Sequence, residues 1–158
     1  MQKESKAIEA YIDKEQSNDF YQKGFAKYSA AGVDKFAWHW SWWAMFGGVF
    51  YLLYRKLYLE ALIFFVVFAV VGMIPFAGLV AWIATGGVLP YLVYKRYKNV
   101  KAQVEMNFAD EDDQLKALRE VGGYNQWAIW LGIGLHVLIW AGMFYMLSIV
   151  MVGMTQQI

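Results

Sequence analysis

Three apolar blocks without an aspartate, glutamate, lysine or arginine dominate this chain: the two halves of 61–94, separated at Pro75, and 126–158. A water-soluble domain of 158 residues does not need uncharged runs of that length. A bilayer does, because about 20 apolar residues in a helix satisfy every backbone polar group across the hydrocarbon. The expected fold class is therefore an all-α membrane protein. Hydrophobic residues at 59% and aromatics at 19% agree with it, both being high for a globular domain.

Charge and cysteine content remove several function classes. The formal net charge of +1 gives no reason to expect a nucleic-acid partner. No cysteine is present, which excludes thiolate metal sites, disulfides and cysteine nucleophiles. Residues 1–35 mix six lysines with six carboxylates. They do not read as a cleavable signal, so the first true span is expected to act as an uncleaved one.

The chain divides into five parts. Residues 1–35 read as a cytoplasmic amphipathic helical arm. Ile8, Tyr11 and Ile12 share one helical face, Ser17-Asn18-Asp19 is the expected break and N-cap, and Tyr21, Phe25 and Tyr28 repeat at helical spacing before Gly32. Residues 36–56 hold four tryptophans between positions 38 and 43. Indoles favour the headgroup boundary, so this part reads as an aromatic interfacial or re-entrant helix breaking near Gly47-Gly48, with a further crossing as the alternative. Residues 57–94 form a transmembrane hairpin, with runs of 18 (57–74) and 19 residues (76–94) around Pro75. Residues 95–126 are a cytoplasmic linker with a short helix, begun by the carboxylates at 110–113 and stopped by Gly122-Gly123. Residues 127–154 make the third transmembrane helix.

Both open ends of the hairpin carry cations: Arg55 and Lys56 on one, Lys95, Arg96, Lys98 and Lys101 on the other. The positive-inside rule places both ends, and the amino terminus, in the cytoplasm. With Tyr54, Tyr58, Tyr94 and Tyr97 these cations form an expected anchor layer on anionic lipid. The topology that follows is multi-pass, with the tail at 155–158 outside.

The segment from Trp40 to Tyr58, WSWWAMFGGVFYLLYRKLY, resembles the signature of a bacterial membrane family known as domain of unknown function 2628. The residues carrying it are Trp40, Trp42, Phe46, Gly48, Leu52, Leu53, Tyr54, Arg55, Lys56 and Tyr58. Asp19-Phe-Tyr upstream, Tyr94 to Lys101 downstream and Leu118 to Gly123 (with Gly122) extend the likeness over roughly 19–127. Gly47 stands where that pattern has phenylalanine, and Val49 where it has the proline that kinks the chain. The resemblance implies a small polytopic membrane protein and brings no reaction with it.

The residues that can carry chemistry are few. His39 and His136 are a formal haem pair, but an axial offset of about 14 Å separates them, so a neutral His136 bonding to a neighbouring helix is favoured. Glu60 lies one turn beyond Lys56, placed for an ion pair at the interface. The acidic run at 110–113 lacks the spacing of a calcium loop and reads as a helix cap. Ala77, Ala81 and Thr85, and Ala128, Gly132 and His136, recur at every fourth position, the spacing of close helix packing in lipid. Gly86-Gly87 and Pro90 weaken the second hairpin helix, a pattern that frees backbone groups to bind ions in some transporters.

No catalytic residue, cofactor or metal site is expected. The leading expectation is a non-enzymatic membrane subunit or scaffold that self-associates or joins a larger membrane complex. The alternative is a homo-oligomeric channel or transporter, with Thr85, His136 or Glu60 lining its path.

Overall fold

The computed structural model describes residues 2–155. Eight α-helices and one 3-10 turn account for its regular structure, and no strand occurs among the described residues. In order they are α1 (Gln2–Ile12), α2 (Glu15–Tyr28), a 3-10 turn (Ala30–Gly32), α3 (Trp42–Gly47), α4 (Val49–Tyr54), α5 (Tyr58–Val71), α6 (Ala77–Asn107), α7 (Glu111–Val121) and α8 (Gln126–Thr155). The expected tail at 156–158 lies outside the described residues.

Two helices, α6 and α8, are long and apolar enough to cross a membrane, not three. The hairpin exists, with Pro75 in its turn and Phe76 in the left-handed region at φ +64°. Its first arm, however, is α5, of 14 residues. At 1.5 Å per residue it spans about 21 Å, short of a hydrocarbon core of about 30 Å. The apolar run begins earlier and continues later, but Leu57 serves as N-cap and the chain leaves the helix at Gly72.

The amino-terminal arm is packed against the protein. Tyr11, Ile12, Tyr21, Phe25 and Tyr28 are buried with Leu89, Val93, Tyr94, Tyr97, Val100 and Val104 of α6. Phe25 stacks on Tyr97 with ring centroids 5.1 Å apart and meets Tyr94 edge-on at 5.2 Å. Residues 17–19 do not break the arm. The break falls at Asp13, in the left-handed region at φ +48°. Asp13 then pairs with Arg119 of α7 at 3.5 Å, tying the arm's corner to the linker helix. Burying the aromatic stripe against α6 keeps 17–19 helical; local capping propensity yields to packing.

Helix α7 begins as its carboxylates require: Asp110 caps it by accepting from the amides of Asp112 and Asp113 at 3.0 and 3.4 Å. It ends where Gly122 passes so close to α1 that Gly123 N–H donates to the Tyr11 carbonyl at 2.7 Å. Helices α1, α2, α7 and the second half of α6 thus form one cap. From Ile133 onward, the large apolar side chains of α8 through Met151 are exposed.

Candidate functional site: a buried arginine at the aromatic boundary

Residues 33–41 form no helix, and the backbone is extended at Val33 and again at Ser41. Proline explains where this segment docks. Pro90 has no N–H, so the carbonyl of Gly86, four residues earlier in α6, loses its helical donor. Ser41 N–H supplies the missing bond at 2.8 Å. Gly86 and Gly87 leave room for the neighbouring indoles: a Cβ on Gly86 would stand 2.9 Å from the Trp40 ring, and one on Gly87 2.9 Å from Trp38. The residues expected to weaken α6 therefore form a seat for the tryptophan segment, and α6 continues unbroken. The freed carbonyl is occupied by protein.

Ser41 then turns the chain into helix, its Oγ accepting from Ala44 N–H at 3.1 Å. Helix α3 ends at Gly48, whose φ of +49° and ψ of −121° suit glycine. The kink between α3 and α4 is present although Val49 replaces the family's proline. At six residues each, the two helices are too short to cross a bilayer.

Arg55 ends α4 and is only 5% exposed. It had been expected among the headgroup anchors; instead it lies beneath the arm. Its Nε donates to Tyr21 Oη at 2.9 Å, and an Nη donates to the Ile12 carbonyl at 3.1 Å. The Tyr21 and Tyr54 rings lie 4.5 and 5.1 Å from its guanidinium carbon, and Tyr21 Oη in turn meets Tyr51 Oη at 2.8 Å. Among the described residues the ion pairs are Lys98–Asp34, Lys101–Glu4, Lys101–Glu105 and Arg119–Asp13. Arg55 therefore has no carboxylate counterion there. A guanidinium stays charged in proteins, and a buried unpaired charge is costly, so phenols and a carbonyl carry the compensation.

Arg55 opens onto a cavity of about 510 Å³. Lys14, Phe20 and Tyr21 of the arm, Trp40, Ser41, Trp42 and Trp43 of the tryptophan segment, and Ile129 of α8 line it. Lys14 Nζ donates to Tyr54 Oη at 3.1 Å and sits over the Tyr54 and Tyr124 rings. Trp40 Nε1 is buried without a hydrogen-bond partner. Among the described residues the lining thus includes two cations and no carboxylate. Trp42 and Trp43, which also line it, are exposed.

The other expected site residues are dispersed. Lys56, in the left-handed region at φ +59°, turns away from Glu60 and donates to the Glu120 carbonyl at 3.3 Å; a cation at the end of α7 complements that helix's dipole. Lys98 pairs with Asp34 at 3.6 Å, and Lys101 with Glu4. Lys95 lies over Tyr91 and, like Arg96, is exposed. Tyr58 accepts from the Asn125 amide at 2.6 Å.

The histidines do not meet. His39 packs on Phe20 at 4.3 Å between ring centroids and donates from Nε2 to that residue's carbonyl at 3.0 Å. Burial holds its pKa below the ordinary imidazole range, with Lys27 adding to the effect and the Phe20 carbonyl opposing it. His136 donates from Nδ1 to Gly132 O, in its own helix, at 2.7 Å, not across to a neighbour. No cluster of three metal-ligating side chains occurs among the described residues. Of the small-residue positions, Ala128 and Gly132 bring α8 onto α4, where a Cβ on Gly132 would meet the Phe50 ring at 3.1 Å. Thr85 is buried and returns its hydroxyl to Trp82 O at 2.6 Å. Ala77 and Ala81 are partly covered.

Residues 6–97 match the family described as "Protein of unknown function (DUF2628)". This chain belongs to that family. The DUF2628 match takes in α1, α2, the tryptophan segment, Arg55 and the hairpin as far as Tyr97, so it covers most of the cavity wall. It stops before Leu118–Gly123, where the resemblance had been expected to continue. No curated protein and no solved structure matches the chain. Sequence reasoning misses Lys14 and Tyr51, and it finds Tyr21 only as one member of an aromatic stripe, which by itself reads as ordinary packing.

Proposed function

We propose that this DUF2628 protein is a non-enzymatic integral membrane subunit that self-associates or joins a larger membrane complex. The cap stands on the cytoplasmic face of a bacterial inner membrane, and α6 and α8 are its spans. The observation behind the reading is α8: 30 residues without a formal charge, seated on α4 near its start and exposed from Ile133 through Met151. Lipid satisfies its apolar surface but gives no reason for one helix to stand apart. A second copy or a membrane partner does, through van der Waals packing at Gly134 and Gly142, beside which the fold leaves open space.

The chain contains no cysteine, so single cysteines report contacts on a clean background. Scanning 134–146 in native membranes should give disulfide-linked dimers or hetero-adducts at a period of about 3.6 residues. Uniform absence of cross-links, with a lone monomer after gentle extraction, would overturn the proposal.

One observation favours a channel or transporter as the second reading. Thr85 and His136 line a common cavity of about 280 Å³. The rest of its wall is mainly aromatic and aliphatic, and Glu60 is not part of it. Proteoliposome flux that survives substitution of both Thr85 and His136 removes the reason for that reading.

A further inference from the structure

We propose that the Arg55 cavity and the groove beside it form a single binding site for one anionic phospholipid. The phosphate sits between Arg55 and Lys14, and one acyl chain runs along α8. The site rests on the membrane placement proposed above and is independent of self-association.

Two cavities carry the inference because they adjoin across a shared wall. The polar one, of about 510 Å³, contains Arg55, Lys14 and Ser41. The apolar one, of about 300 Å³, follows α4 and α8 past Phe50, Ile133 and Val137 to Trp140. Trp43, Tyr51, Tyr54 and Ile129 belong to both walls. The lining therefore changes, beside the exposed Trp43, from one that holds two cations to a nearly apolar trough, and a bilayer makes the same change at its aromatic layer. From Ile129 to Trp140 the trough follows about 16 Å of helix. That length suits an extended chain better than a compact solute.

The polar end selects charge. Arg55 uses Nε and one Nη hydrogen on Tyr21 and Ile12, leaving donors of the planar fork that phosphate oxygens accept well. Lys14 adds a second cation to the same lining, near the Tyr54 ring that Arg55 also meets. No lining carboxylate competes. A choline or ethanolamine headgroup adds a cation beside Arg55 and Lys14, whereas a headgroup with net negative charge neutralises them.

The test uses the full chain, delipidated in detergent, under native mass spectrometry. Phosphatidylglycerol and phosphatidylcholine with identical chains are offered together. The expected result is one phosphatidylglycerol retained per chain, at least tenfold over phosphatidylcholine. Lys14→Met should lower that retention at least tenfold, as should Val137→Trp, which fills the trough from an exposed position. Lys95→Met/Arg96→Met, which removes surface cations outside both cavities, should leave it unchanged. Arg55→Met should abolish it, and Lys14→Met, in a half-exposed residue, keeps the test valid should the Arg55 variant fail to fold.

Equal retention of the two lipids overturns the proposal, as does an equal loss on removing Lys95 and Arg96, which makes the effect general surface charge. Full displacement by inorganic phosphate, with no effect of Val137→Trp, assigns the pocket to a soluble anion and overturns the lipid. The same spectra show monomer or oligomer separately. Loss of lipid selectivity and loss of self-association are thereby distinguished.

Discussion

Replacing Gly122 with alanine should release the amino-terminal arm. A Cβ there would run into the Tyr11 carbonyl oxygen and stand 2.7 Å from the Leu118 carbonyl oxygen and 2.8 Å from the Tyr11 ring. The two nearest neighbours are backbone, so no side-chain rotation relieves the clash. Helix α1 must move off α7 and give up the Gly123 N–H to Tyr11 O bond. Overpacking of this kind costs about 1–3 kcal/mol, and the lost hydrogen bond adds about 1 kcal/mol. The sum, about 2–4 kcal/mol, raises the open population of the cap by about 30- to 900-fold. Limited trypsinolysis of the detergent-solubilised chain reads that population when opening is fast relative to cleavage. Cleavage after Lys14 should accelerate by that factor, with far-UV circular dichroism nearly unchanged. Gly134→Ala is the control: nothing lies within 4 Å of its Cβ, so arm release should be unaltered. If Gly122→Ala releases the arm no faster than Gly134→Ala, the close approach of α1 and α7 is wrong.

Three further outcomes follow from the cap. His39 has a pKa below its ordinary value of 6.5. Its contribution should be complete above about pH 6.5 and lost as pH falls through the folded value. Trypsin resistance should decline over that window, and less so in His39→Gln. Glu4 is also lowered: burial alone pushes it up, but Lys101 and Tyr97 outweigh that. Its contribution should persist above the usual carboxyl range and disappear on acidification through the folded value, and Glu4→Gln should abolish this second, more acidic step in the same assay. Asp110→Ala removes the acceptor from the start of α7 and should cost about 1 kcal/mol, measured as a lower urea midpoint for release of the cap.

The apolar blocks disclosed α6 and α8 because a sustained lack of charge needs no tertiary knowledge to interpret. The cap of α7 was legible for the same local reason: Asp110 and the next three carboxylates fit a helix start. Helix α5 was overestimated because hydropathy continues through residues 72–76, where backbone geometry does not. Gly86, Gly87 and Pro90 were read as weakness; their role depends on Ser41, Trp38 and Trp40, which lie more than 40 positions earlier. Arg55 illustrates the same limit. Beside Lys56 it looks like an interfacial cation, and only the folding of Tyr21 and Ile12 over it makes it a buried one. Lys14 could not be joined to it from sequence because the arm's break falls at Asp13.

Helix α6 continues through Pro90 for 31 residues, about 46 Å, and the arm is bolted to its far end by Phe25, Tyr97 and Val100. Such a rod acts as a lever. With α6 as a span, as proposed above, leaning by about 10° about its Pro75 end in a thinning bilayer would swing Asn107 sideways by about 8 Å, carrying α1 and α2 along. Membrane thickness would thereby become displacement of the water-side surface, with no hinge in between.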